Sequence, residues 1–454
     1  MARKETAPQE APLHPLARGL NERLERAAPE VLAMLSGLGR RLYFPKGILT
    51  QSAEAREKAH RSNATIGIAT EGGEPMHLGS LKRQLPDLSA SDAFDYASAG
   101  GRPVLRQRWL EKLLAENPSL REKRIGLPIV TSALTHGLSL VGELFLDPGD
   151  VLVLPDKLWG NYRLAFEVRL GARIVTFPFY SSSGPAPGLD TDGLAAALEA
   201  HAPPGGKVVV LLNFPNNPTG YMPSETEADA IVAALEARAS AGARVLAVVD
   251  DAYFGLFYHL DGPTLTESLF GRLANRHPNL LAVKLDGATK ELFVWGFRCG
   301  FLTFGPGSTE SADETLAVLE AKVRGAIRAG ISSSPQLSQS LVEKALASAA
   351  LAGERKEKGE ILRARAERVH AVANLPRYRE SFEVYPFNSG YFMCVKVKGV
   401  EAEALRVHLL ERYGVGLVAT SATDVRIAFS CLELDEIEPV FEILHRAIQE
   451  LVED

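Results

Sequence analysis

A chain of 454 residues, 46% of them hydrophobic, is long enough to bury a large core and to form more than one globular domain. With 50 basic and 56 acidic residues the net charge is -6, so no basic stripe runs along the chain and nucleic acid is not an expected partner. Cys299, Cys394 and Cys431 stand far apart, odd in number and without a CxxC pair, which argues against a disulfide framework or cysteine metal site and for a reducing cytoplasm, and no segment is apolar and long enough to span a bilayer.

From the N-terminus, MARKETAPQEAPLHP mixes charges with proline and lacks the apolar stretch of a secretory signal, so residues 1–18 are expected to form a flexible tail. Residues 19–75, which include LYFPKGIL, are expected to pack with a C-terminal domain. From about residue 126, short β-branched or apolar runs alternate with amphipathic segments, the pattern of repeated βα units. IGLPIV leads into the helical LTHGLSLVGELFL; DPGD turns into the strand VLVLP; WGNYRLAFEVRL is helical, and GARIVTFP returns as a strand. KVVVLL at 207–212, a helix near 225–241, RVLAVVD at 244–250, NLLAVKL at 279–285 and CGFLTFG at 299–305 continue the alternation. Residues 76–335 are thus expected to form a large α/β domain: a mostly parallel sheet with helices on both faces.

Beyond SSSP at 332–335, a stretch rich in Ala, Glu, Lys and Arg runs to about residue 373 and reads as one extended helix despite Gly353 and Gly359. Residues 336–454 are expected to join that helix to a smaller α+β domain. Its strands would be FEVYPF, GYFMCVKVKG and VRIAFS, and its helices 401–412 and 435–452. No fixed internal repeat interrupts this plan.

The chemically suggestive residues fall just after the predicted strands, where ligands of open α/β sheets collect. NFPNNPTG supplies Asn217, VVDDAYFG supplies Asp250 and Tyr253, and ATKELFVWGFR supplies Lys290 with Arg298 eight positions later. Pyridoxal 5'-phosphate needs an acid against its ring nitrogen, a lysine to form an imine and an arginine for its phosphate. Side chains alternate along a strand, so Asp250 is chosen for the ring and Asp251 is expected to face the other way. Asn217 and Tyr253 can reach the ring oxygen, and Asn217 is also a natural turn residue before proline. Thr135, at the start of the helix after TSALTHG, is a phosphate contact or a helix cap. Trp159 either stacks on the ring or packs in the core. Arg426, in the otherwise apolar VRIAFS, is expected to bind a substrate carboxylate, because an unpaired arginine there would be costly.

These motifs resemble the fold type I pyridoxal phosphate enzymes, and most closely the class I aminotransferases of the aspartate and aromatic group, over nearly the whole chain. The resemblance implies that Lys290 is the Schiff-base lysine, Asp250 the ring-nitrogen acid, Asn217 and Tyr253 the ring-oxygen contacts, Arg298 and Thr135 the phosphate contacts, Trp159 the stacking aromatic and Arg426 the α-carboxylate arginine. It also implies that Gly67 lies near the substrate carboxylate and that Tyr96 reaches the neighbouring subunit's phosphate, which makes the chain a homodimer with shared sites. Arg328 aligns with an arginine that binds a dicarboxylate side chain across the dimer, and a solvated helix face is the other reading of AKVRGAIR. Departures from the family are Gly287 in place of a common serine, a phosphate cup that reads Ala133, Leu134, Thr135 and His136 where small residues are usual, and a longer segment at 16–62.

The expected activity is a ping-pong aminotransferase that moves an amino group from an L-amino acid to a 2-oxo acid. The alternatives are a carbon–sulfur β-lyase of the same fold and a non-catalytic ligand sensor. The latter is disfavoured because the first 62 residues lack a basic helix-turn-helix segment.

Overall fold

The computed structural model describes residues 13–27, 29–43, 47–181, 188–310 and 312–453. Its centre is a seven-stranded sheet made of β1 (Ile129–Ser132), β2 (Val151–Pro155), β3 (Arg173–Phe177), β4 (Lys207–Asn213), β5 (Arg244–Asp250), β6 (Leu280–Gly287) and β7 (Cys299–Gly305). The strand order is β1-β7-β6-β5-β4-β2-β3. β7 runs antiparallel to β1 and β6, while the pairs from β6 to β3 are parallel.

Period-two alternation explains why these runs are apolar throughout. Val208, Val210 and Leu212 of β4, with Val245, Ala247 and Val249 of β5, join one buried cluster, whereas Val209, Leu211, Leu246 and Val248 join a second cluster across the sheet. Both faces are therefore core. The same alternation carries the consecutive Asp250 and Asp251 to opposite sides, because Asp250 continues the row of Leu246 and Val248. Asp251 pairs with Lys284 of β6 and accepts from the Ser268 hydroxyl at 2.6 Å.

A second, antiparallel sheet is made of β8 (Phe382–Val384), β9 (Phe392–Val397), β10 (Val418–Ala419) and β11 (Asp424–Ala428), in the order β8-β9-β11-β10. Helices Ala402–Tyr413 and Ile437–Glu453 accompany it. The helix expected to run unbroken to residue 373 is two helices, Gln336–Leu346 and Leu351–Ala373. The break has a local cause: the Ser348 hydroxyl accepts the Ala350 N–H at 3.3 Å, and the Ser348 carbonyl takes the Leu351 N–H at 3.2 Å, a turn that competes with the helical ladder. Gly353 and Gly359 are carried within the second helix.

At the N-terminus, helix Pro15–Ala27 begins inside the segment expected to be tail, with proline at a first-turn position that needs no N–H donor; residues 1–12 of that tail lie outside the described residues. Ser62–Asn63 pairs in parallel with Val415–Gly416, and Gln51 exchanges hydrogen bonds with the backbone of Ala419 at 3.0 and 3.3 Å. Among the described residues no helix is long and apolar enough to cross a membrane.

The two sheets meet at the loop after β4. Gly220 has φ +74°, its carbonyl accepts from the Asn388 N–H at 3.0 Å, and a Cβ on it would lie 1.9 Å from the Phe392 carbonyl oxygen. Gly220→Ala is therefore expected to destabilise the protein by about 1–3 kcal/mol through overpacking and a disfavoured backbone. A thermal melt checks this, and an unchanged midpoint would contradict the tight junction.

Candidate active site

The carboxyl ends of β4, β5 and β6 open into a cavity of ≈ 320 Å³ against β9 and β11. Asp250 forms its floor at 2% exposure. Its Oδ2 accepts from the Tyr162 hydroxyl at 2.7 Å and its Oδ1 from the Ala252 N–H at 3.1 Å. Burial pushes this carboxyl's pKa up, opposed by the Tyr162 hydroxyl, the Lys290 cation and the Ala252 amide. Asn213, the register partner of Asp250, fixes two neighbouring segments: its amide donates to the Asp250 carbonyl at 2.9 Å and its Oδ1 accepts the Asn217 N–H at 2.9 Å.

Lys290 sits in the short helix Ala288–Glu291 that follows β6, with Nζ 4.8 Å from the centroid of the Tyr253 ring. Desolvation lowers its pKa to about 8, with the Asp250 carboxylate pulling it up and the Arg298 guanidinium pushing it down. Arg298 follows the turn Trp295–Phe297 in a left-handed conformation, φ 51°.

Arg426 enters from β11 and is 1% exposed. Its Nη1 donates to Asn217 Oδ1 at 3.0 Å and its Nη2 to the Thr65 carbonyl at 2.8 Å, while the guanidinium lies 4.1 Å from the Phe392 ring centroid. The bond to Asn217 Oδ1 leaves the NH2 end of that amide to serve another acceptor. Trp159 is half-buried on the cavity wall, edge-on to Tyr162 at 5.5 Å.

Nine of the expected site residues thus line one cavity: Gly67, Thr135, Trp159, Asn217, Asp250, Tyr253, Lys290, Arg298 and Arg426. Tyr96 and Arg328 do not line it. Tyr96 is 96% exposed, and Arg328 lies exposed on helix Ala312–Gly330. The sequence reading missed Tyr162, Asn213 and Trp295, which line the cavity together with Thr289. Tyr162 had a signal, since it lies one helical turn beyond Trp159. Asn213 had another, as the polar last residue of the otherwise apolar KVVVLLN.

Gly287 explains one departure noted above. A Cβ there would stand 2.8 Å from the Cys299 carbonyl and 2.9 Å from Gly300 Cα, so the close pairing of β6 and β7 excludes any side chain, serine included. A hydroxyl is present two residues on, at Thr289, which is buried and whose Oγ1 has no partner.

The donor set fits an anionic group with a ring. Thr289 Oγ1, Trp295 Nε1 and Arg426 Nε are buried on this wall without hydrogen-bond partners, an expensive state that an acceptor-rich ligand relieves. Lys290, Arg298 and Arg426 stand against the single carboxylate Asp250, so the lining is cationic.

Comparison with known proteins gives the same direction. A family model described as Aminotransferase class I and II matches residues 69–444. The chain is 31% identical over 134 residues to an aspartate aminotransferase of Musicola paradisiaca, covering 29% of this chain and 31% of that one. It is 29% identical over 178 residues to an LL-diaminopimelate aminotransferase of Dehalococcoides mccartyi, covering 37% and 42%. These alignments span less than half the length of either relative. In fold, the chain is similar to an aminotransferase of Anaerococcus prevotii, with TM-score 0.78, 21% identity and coverage of 91% of this chain and 98% of that one. It is also similar to the kynurenine aminotransferase of Pyrococcus horikoshii, with TM-score 0.74, 17% identity and coverage of 93% and 98%. The fold is that of the fold type I pyridoxal phosphate aminotransferases, and with the family match spanning most of its length the chain belongs to the class I and II aminotransferases.

Proposed function

We propose that this protein is a pyridoxal 5'-phosphate-dependent aminotransferase that carries an amino group from an L-amino acid to a 2-oxo acid in a ping-pong cycle. The observation that carries the reading is the pairing, in one cavity, of a desolvated lysine at about pKa 8 with a buried carboxylate. When bound, the cofactor supplies a protonated ring that accepts the electrons left as a bond to the substrate Cα breaks. Asp250, fixed by Tyr162 and the Ala252 amide, would hold the proton on the ring nitrogen. Asn217 and Tyr253 would donate to the ring oxygen, and Trp159 would cover a ring face. Arg298 and Thr135, joined by the unpartnered hydroxyl of Thr289, would hold the phosphate. Arg426, preset by Asn217 and Thr65, would fix the substrate carboxylate beside Gly67. Lys290 Nζ, whose lowered pKa leaves part of it unprotonated near neutrality, would take the proton from the substrate Cα and deliver it on the far side of the transfer.

The reading also includes a homodimer. Phe94 and Tyr96 are 86% and 96% exposed, large apolar surface that suits a subunit interface. Tyr96 and Arg328, both outside the cavity of their own subunit, would serve the partner's site.

A half-reaction tests the activity. Adding an L-amino acid alone should bleach the visible absorbance of the holoenzyme once and release one equivalent of 2-oxo acid per site, and a second 2-oxo acid should restore it. Sustained release of pyruvate and ammonia from cystathionine without any 2-oxo acid would instead make the protein a carbon–sulfur lyase.

A further inference from the structure

Beside the cavity, two loops of the seven-stranded sheet and one strand of the smaller sheet are joined in a closed circuit of contacts. Lys157, in the turn after β2, pairs with the buried carboxylate of Asp424 at the start of β11, Nζ to Oδ2 at 2.6 Å. Two residues along the same strand, and so on the same side of it, Arg426 donates to Asn217 Oδ1 at 3.0 Å. One residue before Asn217, the Asn216 amide donates to the Lys157 carbonyl at 3.2 Å, which closes the circuit. Neither Lys157 nor Asp424 lines the cavity, yet each stands two residues from one that does, Trp159 and Arg426.

Further contacts hold the circuit from outside. The other oxygen of Asp424, Oδ1, accepts from the Tyr385 hydroxyl at 3.0 Å, and the Lys157 ammonium lies 5.0 Å from the centroid of the Tyr385 ring. That ring stacks at 5.2 Å on Tyr180, which follows β3, and the Tyr180 hydroxyl donates to the Pro386 carbonyl at 2.7 Å. Cys394, the register partner of Arg426, donates through Sγ to the Pro218 carbonyl at 3.3 Å. Both oxygens of Asp424 are engaged, so the carboxylate is oriented as well as neutralised.

A buried ion pair adds little net stability, because desolvation offsets the attraction between its charges. Geometry gives this pair a use. Arg426 and Trp159 come from different sheets, and a misplacement of about 1 Å between groups that position a substrate can cost about 10²-fold in rate.

We propose that Lys157 and Asp424 are positioning residues for the substrate α-carboxylate: their ion pair holds Arg426, on the smaller sheet, at a set distance from the loops that carry Trp159 and Asn217. The inference rests on the aminotransferase reading, in which Arg426 takes that carboxylate.

The test uses the holoenzyme and three pairs of ligands, L-alanine with ethylamine, L-phenylalanine with 2-phenylethylamine and L-aspartate with β-alanine, each amine lacking only the α-carboxylate. The concentration that half-saturates the change in visible absorbance is measured for each, beside a thermal melt of each variant. In Lys157→Met/Asp424→Asn, which removes both charges, that concentration should rise at least about tenfold for the responding amino acids and less than about twofold for the matching amines, and the limiting rate of bleaching should fall less than the affinity does. The double variant should melt close to wild type, because no unpaired charge is left, whereas Lys157→Met alone, which leaves the Asp424 carboxylate without its cation, should melt lower. Unchanged amino acid affinity in the double variant, or equal weakening of amines and amino acids, would overturn the inference and leave the aminotransferase reading standing. Equal half-saturation of amines and amino acids in wild type would overturn the role of Arg426 as well.

Discussion

Lys290→Ala is expected to lower amino-group transfer by about 10³-fold or more, since it removes both the covalent attachment and the proton carrier, whose general-base part alone is typically worth about 10²–10⁴-fold. The visible absorbance that reports cofactor joined to the protein should vanish, while the remaining contacts still retain some cofactor. Among the described residues no other lysine lines the cavity. Lys284 lies across the sheet, bound to Asp251 and Asp286, and its pKa is held well above the ordinary lysine range despite desolvation. Lys157 is tied to Asp424 at 2.6 Å and is likewise raised. Wild-type turnover in Lys290→Ala would remove the lysine from the mechanism. Stability should move the other way. The folded pKa of Lys290, about 8, lies below the 10.5 of a solvated lysine, so the folded state binds fewer protons than the unfolded state between those values. The destabilisation from burying its charge is therefore fully present below pH 8 and fades as pH rises toward 10.5. In cofactor-free protein, Lys290→Met, which keeps the apolar stem, should melt higher than wild type at pH 7, with the gap narrowing above pH 8.

How much of this was legible in the sequence follows from how local each signal is. The sheet was, because β4, β5 and β7 are apolar on both faces and their bounds depend on runs such as KVVVLL and CGFLTFG. The separation of Asp250 from Asp251 was also legible, since alternation along a strand needs no tertiary information. The break at Ser348 was not, because a serine hydroxyl replacing one helical bond leaves composition and periodicity nearly unchanged. Nor was the reason for Gly287, which depends on how closely β7 approaches β6. Tyr162 was missed for a related reason: its place follows from a hydrogen bond 88 residues away in sequence, to Asp250.

Asp250→Asn is expected to cost about 10²–10³-fold in turnover, the usual effect of deleting one preorganised electrostatic contact at a reacting group. The substitution keeps the shape of the side chain, so the Tyr162 hydroxyl and the Ala252 amide retain neighbours and the melting temperature should change little. What disappears is charge, with two consequences of known sign. A neutral amide no longer favours the protonated ring nitrogen, so electron withdrawal at the substrate Cα weakens. Lys290 also loses the one carboxylate that raises its pKa, leaving desolvation and Arg298 to push it further below about 8. The acid limb of the pH profile should therefore move to lower pH even as the plateau falls. A purely structural role for Asp250 would lower the plateau without moving that limb, and wild-type turnover in the variant would contradict the role altogether. Tyr162→Phe gives the graded version: the carboxylate keeps its charge and loses one hydrogen bond, so the rate should fall less and the direction of the Lys290 shift should be the opposite. The Tyr162 hydroxyl stabilises the ionised carboxylate without neutralising it, and a less shielded Asp250 attracts the lysine proton more strongly.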